Sequence, residues 1–183
     1  MVDRNPVGGG GDLNLFESGS MMIYLADKYN MFIPKDVRGR AECINWVMWQ
    51  MAGQGPMTGA CYGHFYAYAP AELNRDYGVA RYGMEVQRIC SVLDQHLAGF
   101  RDMKGGHENV GTREYLVGGR YTVADMACYP WAKMLFGERP NGGYNRIHQT
   151  PTFKFMGLHE KYPHLMKWLD RVGSRIGVQR GCA

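Results

Sequence analysis

Apolar positions spaced three and four apart recur along most of this chain, and they predict a mainly helical protein. Met22, Leu25, Ala26 and Tyr29 share one helical face, in a helix expected to open at Ser18 as its N-cap and close at Asn30. From Asp36 onward nearly everything reads as helix. Ile44, Val47, Met48 and Met51 form one stripe, which Gly53-Gln54-Gly55-Pro56 is expected to kink or end. A second stripe carries Val79, Tyr82, Val86, Ile89, Leu93 and Leu97. A third runs from Val123 through Met126, Ala127, Trp131 and Met134, and a last begins near Pro163 with Leu165, Trp168, Leu169 and Val172. Arg101 to Arg113, with Gly105-Gly106, reads as a polar surface loop. The opening residues break the helical pattern. There Met1–Arg4 and Leu13–Phe16 are expected to pair as a hairpin across Gly8-Gly9-Gly10-Gly11. Such a hairpin is marginal alone in water and needs outside support.

Composition narrows the class. The 183 residues fit one large domain or two small ones, and 45% hydrophobic with 21% charged residues excludes general disorder. The net charge of +4 comes from Lys and Arg that do not cluster, so no nucleic-acid partner is expected. No apolar run approaches the roughly 18 residues of a membrane span, so no membrane partner is expected either. Met1-Val2-Asp3-Arg4-Asn5-Pro6 lacks the apolar run of a secretory signal. Cys43, Cys61, Cys90, Cys128 and Cys182 are odd in number and scattered, which is no disulfide framework, and the histidines show no metal-ligand spacing. A reduced, cytoplasmic protein without a metal is the expectation. The 13% aromatic residues and 13 methionines suit a large core or a pocket of soft side chains.

Two constellations carry candidate chemistry. Glu17-Ser18 falls at a strand-to-helix junction. Ser18 and the first-turn N–H groups suit a carboxylate, helped by the helix dipole, while the Glu17 carboxylate suits an ammonium. Side by side they would hold the head group of an amino acid. A plain cap at Ser18 with a favourable charge at Glu17 accounts for the same residues. Thr122-Val123-Ala124-Asp125 is a capping box in which Asp stands where Glu is usual, and its role is structural.

Taken in order, the motifs resemble a known family. They are Phe16-Glu17-Ser18-Gly19-Ser20 with Ile23-Tyr24-Leu25-Ala26, Trp46-Val47-Met48-Trp49-Gln50, Gly55-Pro56-Met57, Tyr115-Leu116-Val117-Gly118-Gly119 and Tyr121-Thr122-Val123-Ala124-Asp125. Together they resemble the cytosolic glutathione S-transferases, nearest the branch of nu-class glutathione-dependent disulfide-bond oxidoreductases. The resemblance implies an all-helical C-terminal domain preceded by the hairpin and helix of a thioredoxin-like α/β domain. It divides the chain at 1–30 (partial thioredoxin-like), 31–36 (linker) and 37–183 (helical). It implies that Glu17 and Ser18 grip the γ-glutamyl head of glutathione, the thiol substrate. It also implies that Cys61, Tyr62, His64 and Phe65 line an acceptor pocket for a small electrophile or disulfide; a cluster packing the bundle fits them equally. Family members begin with strands that would precede Met1, so the thiol-activating residue is expected upstream and no catalytic residue is named here. A homodimer is expected if the N-terminal domain is complete. The alternative is a catalytically silent homologue or fragment kept as a glutathione-binding or protein-interaction module. Between Phe136 and Tyr162 the chain departs from the family with a polar stretch, expected to be a surface insertion carrying Arg139 and Arg146.

Overall fold

A computed structural model describes residues 1–70, 72–73, 75–103, 106–109, 111–136 and 161–182. The expected insertion with Arg139 and Arg146 lies outside them. Strands β1 (Val2–Asp3) and β2 (Leu13–Asn14) pair antiparallel, with Val2 opposite Asn14 and Asp3 opposite Leu13. The turn between them uses Gly8, Gly9, Gly10 and Gly11, all at positive φ (91°, 73°, 92° and 89°), where side chains would be strained. Two-residue strands cannot hold themselves, and the support comes from α1 (Ser18–Tyr29). Asp3 accepts hydrogen bonds from the Tyr24 hydroxyl at 2.7 Å and from Lys28. Lys28 also donates to the Asn5 carbonyl at 2.7 Å.

Asn30 ends α1 in the left-handed conformation, returning its N–H to the carbonyls of Ala26 and Asp27. Helix α2 (Val37–Trp49) opens on Asp36, whose carboxylate accepts from the Gly39 amide at 2.8 Å. Arg40 reaches back to Asp27 with two parallel bonds of 2.6 and 2.8 Å, tying α2 to the end of α1.

The expected break after α2 does not end the helix. Its path continues through a π-helical stretch (Gln50–Gln54), the short α3 (Gly55–Thr58) and a second π-helical stretch (Gly59–Tyr68). Pro56 offers no N–H, and a widened turn lets the chain pass it without breaking. The buried face differs from the expected stripe: Met48 is exposed, and Cys43, Val47, Gln50, Gln54 and Thr58 point inward. The Gln54 amide donates to the Cys128 carbonyl at 3.1 Å, while the Gln50 Oε1 and Thr58 Oγ1 atoms are buried without a partner among the described residues.

Helix α4 (Arg75–Leu97) buries Val79, Val86, Ile89, Leu93 and Leu97, as its spacing predicts. It crosses the second π-helical stretch closely, because a Cβ on Gly78 would stand 2.2 Å from the Phe65 ring. The loop expected at 101–113 is corrected in part. Strands β3 (Phe100–Met103) and β4 (Gly106–Asn109) pair antiparallel, so these polar residues satisfy their backbone groups by facing one another. Helix α5 (Val123–Phe136) runs through the body and packs against α2 and α6 (Pro163–Gly173), with α7 (Ile176–Gly181) closing the described chain. The core joins all of these: Val47, Val86, Leu93, Leu116, Cys128, Leu135, Leu165 and Trp168 are at most 1% exposed. Each large apolar side chain so buried contributes about 1.5–3 kcal/mol relative to exposure.

Candidate functional site

The N-terminus of α1 is an unusual helix start. Its cap is Glu17, one residue before the expected Ser18, and Glu17 sits at φ 65°, ψ 114°. That conformation is costly for a residue with a Cβ, by about 1–3 kcal/mol, and such strain clusters where backbone must be presented to a ligand. Glu17 makes no side-chain bond to the helix, and the first turn carries no acid of its own. The Glu17 carbonyl accepts the Met21 amide at 2.9 Å, which starts the helical ladder. Glu17 and Ser18 are both exposed, whereas Gly19 is buried against the helical body. A Cβ on Gly19 would stand 3.0 Å from Met51 and 3.1 Å from Val47. Close approach at Gly19 therefore presses this helix end against α2 and its π-helical extension. The Ser18 hydroxyl adds a weak bond to the Met51 sulfur at 3.8 Å. An accessible carboxylate, a hydroxyl and first-turn N–H groups meet here at the positive end of a helix dipole.

Cys61 and Tyr62 are placed differently from these two. Cys61 is fully buried, its thiol 3.8 Å from the Val79 carbonyl, and burial pushes that thiol up to about 11. Tyr62 is 1% exposed. The structure thus packs both into the core between the second π-helical stretch and α4. Phe65 is half-buried and stacks on Tyr82 with ring centroids 5.4 Å apart, and His64 meets Phe65 edge-on from the surface. Cys43, Cys90 and Cys128 are buried too, and desolvation raises each of their thiols. None of these four cysteines has the lowered pKa that a reactive thiolate needs.

Thr122 and Asp125 come together at the start of α5. Asp125 accepts the Thr122 amide at 2.9 Å and hydroxyl at 3.3 Å, and Thr122 Oγ1 accepts the Ala124 amide at 3.3 Å. The same carboxylate accepts the Leu116 amide at 3.0 Å and the Trp168 indole N–H at 2.8 Å. Burial raises the Asp125 pKa even so, because desolvation outweighs the donors around it. The bonds to Leu116 and Trp168 escape a sequence reading, since Trp168 lies 43 residues away and nothing local announces it. The Asp3–Tyr24–Lys28 cluster is a second feature without a local signal. A carboxylate at the last position of a short strand, with Tyr and Lys four apart on a later helix, is its only trace.

Residues 84–175 match the C-terminal domain of glutathione S-transferases. The chain is 36% identical over 169 residues to the disulfide-bond oxidoreductase YghU of Escherichia coli (strain K12), covering 92% of this chain and 50% of that protein. It is 33% identical over 175 residues to the disulfide-bond oxidoreductase YfcG of the same organism, covering 96% of this chain and 66% of YfcG. Among solved structures it is similar to a glutathione transferase from Burkholderia graminis with two glutathione molecules bound per subunit. The TM-score is 0.78 at 35% identity, over 98% of this chain and 64% of that one. A glutathione transferase from Pseudomonas putida, with one glutathione disulfide bound per subunit, aligns with TM-score 0.76 at 30% identity, over 98% and 66%. The chain therefore spans between half and two thirds of the length of these relatives.

Proposed function

Since the chain belongs to the glutathione S-transferase family, we propose that it holds glutathione by its γ-glutamyl end at Glu17 and Ser18. The carrying observation is the start of α1, where an exposed carboxylate at positive φ precedes an exposed serine on an unblocked helix end. The glutathione α-carboxylate accepts from the Ser18 hydroxyl and the first-turn amides, and its α-ammonium pairs with Glu17. Residues 1–30 form the part of a thioredoxin-like unit that presents this pair. Residues 31–36 link it to a helical domain over 37–183.

The chemistry belongs to the glutathione thiol. As thiolate it attacks an electrophilic carbon, or one sulfur of a small disulfide, forming a mixed disulfide and expelling the other sulfur as thiolate. A second glutathione resolves the mixed disulfide, leaving glutathione disulfide and a reduced thiol. Kinship with the two E. coli disulfide-bond oxidoreductases favours disulfide exchange over conjugation. In solution we take the chain to be a cytoplasmic homodimer when its N-terminal domain is complete. A second reading, a module that binds without turnover, draws support from the burial and raised pKa values of Cys43, Cys61, Cys90 and Cys128. These thiols are unavailable as substitute nucleophiles.

Ligand-observed NMR at millimolar glutathione tests the head-group assignment. Binding is expected, and Glu17→Gln and Ser18→Ala should each weaken it about tenfold, the effect of one charge-assisted hydrogen bond. No binding at that concentration, or equal affinity in both variants and the parent, overturns the assignment.

A further inference from the structure

One side chain from the helical body lies across the start of α1. Met51, in the π-helical stretch that follows α2, accepts the Ser18 hydroxyl at its sulfur, 3.8 Å away. Its Cγ and Cε atoms lie 3.0 and 3.3 Å from where a Cβ on Gly19 would stand. The thioether therefore touches both of the residues that open the helix. Met51 is half-buried, packed against the core on one side and open to solvent on the other. Of the 13 methionines in the chain, it is the one whose sulfur takes the hydrogen bond of Ser18.

The weakness of this bond decides what it does. A thioether is a poor acceptor, whereas a carboxylate is a strong one. Met51 gives the Ser18 hydroxyl a resting direction and yields it readily to an arriving carboxylate. No stronger acceptor competes for it, since Glu17 makes no side-chain bond to the helix start. Among the described residues Met51 is the acceptor of that hydroxyl. A sulfoxide or amide oxygen in the same place would hold the hydroxyl against the ligand. It would also bring a polar, branched group against Gly19, where Met51 and Val47 already leave no slack.

We propose that Met51 positions the head-group site and makes it sensitive to oxidation, an inference that rests on glutathione being held at Glu17 and Ser18. As a thioether Met51 aims the Ser18 hydroxyl. As a sulfoxide it keeps that hydroxyl for itself and displaces the start of α1, and glutathione binding falls. The oxidant is a hydroperoxide. A sulfur lone pair attacks its terminal oxygen, and the S–O bond forms as the O–O bond breaks. The proton of the transferred oxygen passes to the departing alkoxide, which leaves as an alcohol, or as water from hydrogen peroxide. Sulfur gives up two electrons and the peroxide takes them.

Glutathione titration of the whole chain by ligand-observed NMR, before and after treatment with hydrogen peroxide that is then removed, tests the proposal. The oxidised parent should bind about tenfold more weakly than the untreated one. Met51→Leu keeps the bulk beside Gly19 and removes the sulfur. It should bind about threefold more weakly than the parent and lose nothing further on oxidation. That variant also controls for the exposed Met1, Met31, Met48, Met84 and Cys182, which peroxide reaches as well. Met51→Gln places a permanent amide acceptor there and should match the oxidised parent. Circular dichroism establishes that the variants fold. A second measurement needs no glutathione: the backbone amide resonances of Ser18 and Gly19 should move when the parent is oxidised and stay in place in Met51→Leu. Three results overturn the proposal and leave the head-group assignment standing: an oxidised Met51→Leu that loses as much affinity as the parent, a Met51→Gln that binds like the untreated parent, or unmoved Ser18 and Gly19 amides. A parent that binds no glutathione overturns both.

Discussion

The hairpin and α1 stand beside the helical body as two solutions to the problem of holding a chain in place. In the first, Phe16 is 81% exposed, Val7 73% and Tyr29 63%, and α1 buries only Gly19 and Ala26. In the second, Leu93, Leu165, Trp168 and Val172 are all wholly buried in one continuous core. The N-terminal region is held by polar contacts that can each be named, Asp3 with Tyr24 and Lys28 and Asp27 with Arg40, and by the packing of Gly19, Met22, Ile23 and Ala26 against the body. The body is held by area. A region with few buried contacts opens locally at low cost, which suits a segment that presents groups to a ligand. The strained Glu17 is tolerable there because the rest of the molecule supplies the stability.

The largest expected effect of a single change falls in the body. Asp125→Ala leaves the Leu116 and Thr122 amides and the Trp168 indole N–H buried without an acceptor. Stranded donors cost roughly 1–3 kcal/mol each, with partial relief from water, so about 4 kcal/mol of stability should disappear. Urea unfolding followed by tryptophan fluorescence measures it. Asp125→Asn keeps one acceptor oxygen and should lose about half as much. A loss below about 1 kcal/mol for the alanine variant would show that the loop, α5 and α6 hold together without this carboxylate.

Gly78→Ala should come next. The added methyl meets Phe65, whose ring is itself stacked on Tyr82, so the ring cannot simply swing away. Overpacking of this kind costs about 2 kcal/mol even after alanine's better helix propensity is counted. Adding Phe65→Leu should recover most of that loss. If it does not, the close crossing of α4 over the second π-helical stretch is held by something other than this ring.

The same contrast explains what could be read from sequence. In α4 and α6 apolar residues alone face the core, so the three-and-four spacing of Val86, Ile89 and Leu93, or of Leu165, Trp168 and Val172, marks the buried side directly. After Val47 the rule fails, because Gln50, Gln54 and Thr58 take the inward positions while Met48 faces out. A binary pattern cannot register polar side chains inside. Strands β3 and β4 carry no such signal, because Phe100–Met103 and Gly106–Asn109 lack a clean alternation and gain their pairing from each other. At the candidate site the Glu17-Ser18 pair and the helix behind it are visible as a motif. The positive φ that moves the cap onto Glu17 is not, because only glycine advertises that conformation.

Acidification separates the two regions most cleanly, although its effect on global stability is the smallest. The Lys28 ammonium and the Tyr24 hydroxyl hold the Asp3 carboxyl at about 2, below its ordinary 3.8. A depressed folded pKa means that this contact is complete above about pH 4 and is lost as pH falls through 2. Asp125 runs the other way, since burial raises its pKa and proton uptake there favours the folded body as pH falls towards its ordinary value. Between pH 4 and pH 2 the hairpin should therefore detach while Asp125 lends the body no tendency to unfold. Asp3→Asn should produce the detached hairpin at neutral pH. Amide exchange of Leu15, whose N–H bonds the Met1 carbonyl at 2.9 Å, should quicken, while the Trp168 indole N–H stays protected. Equal loss of protection at both positions would mean that the hairpin and the body unfold as one cooperative unit, and that the exposed surface of the first region conceals a coupling its contacts do not show.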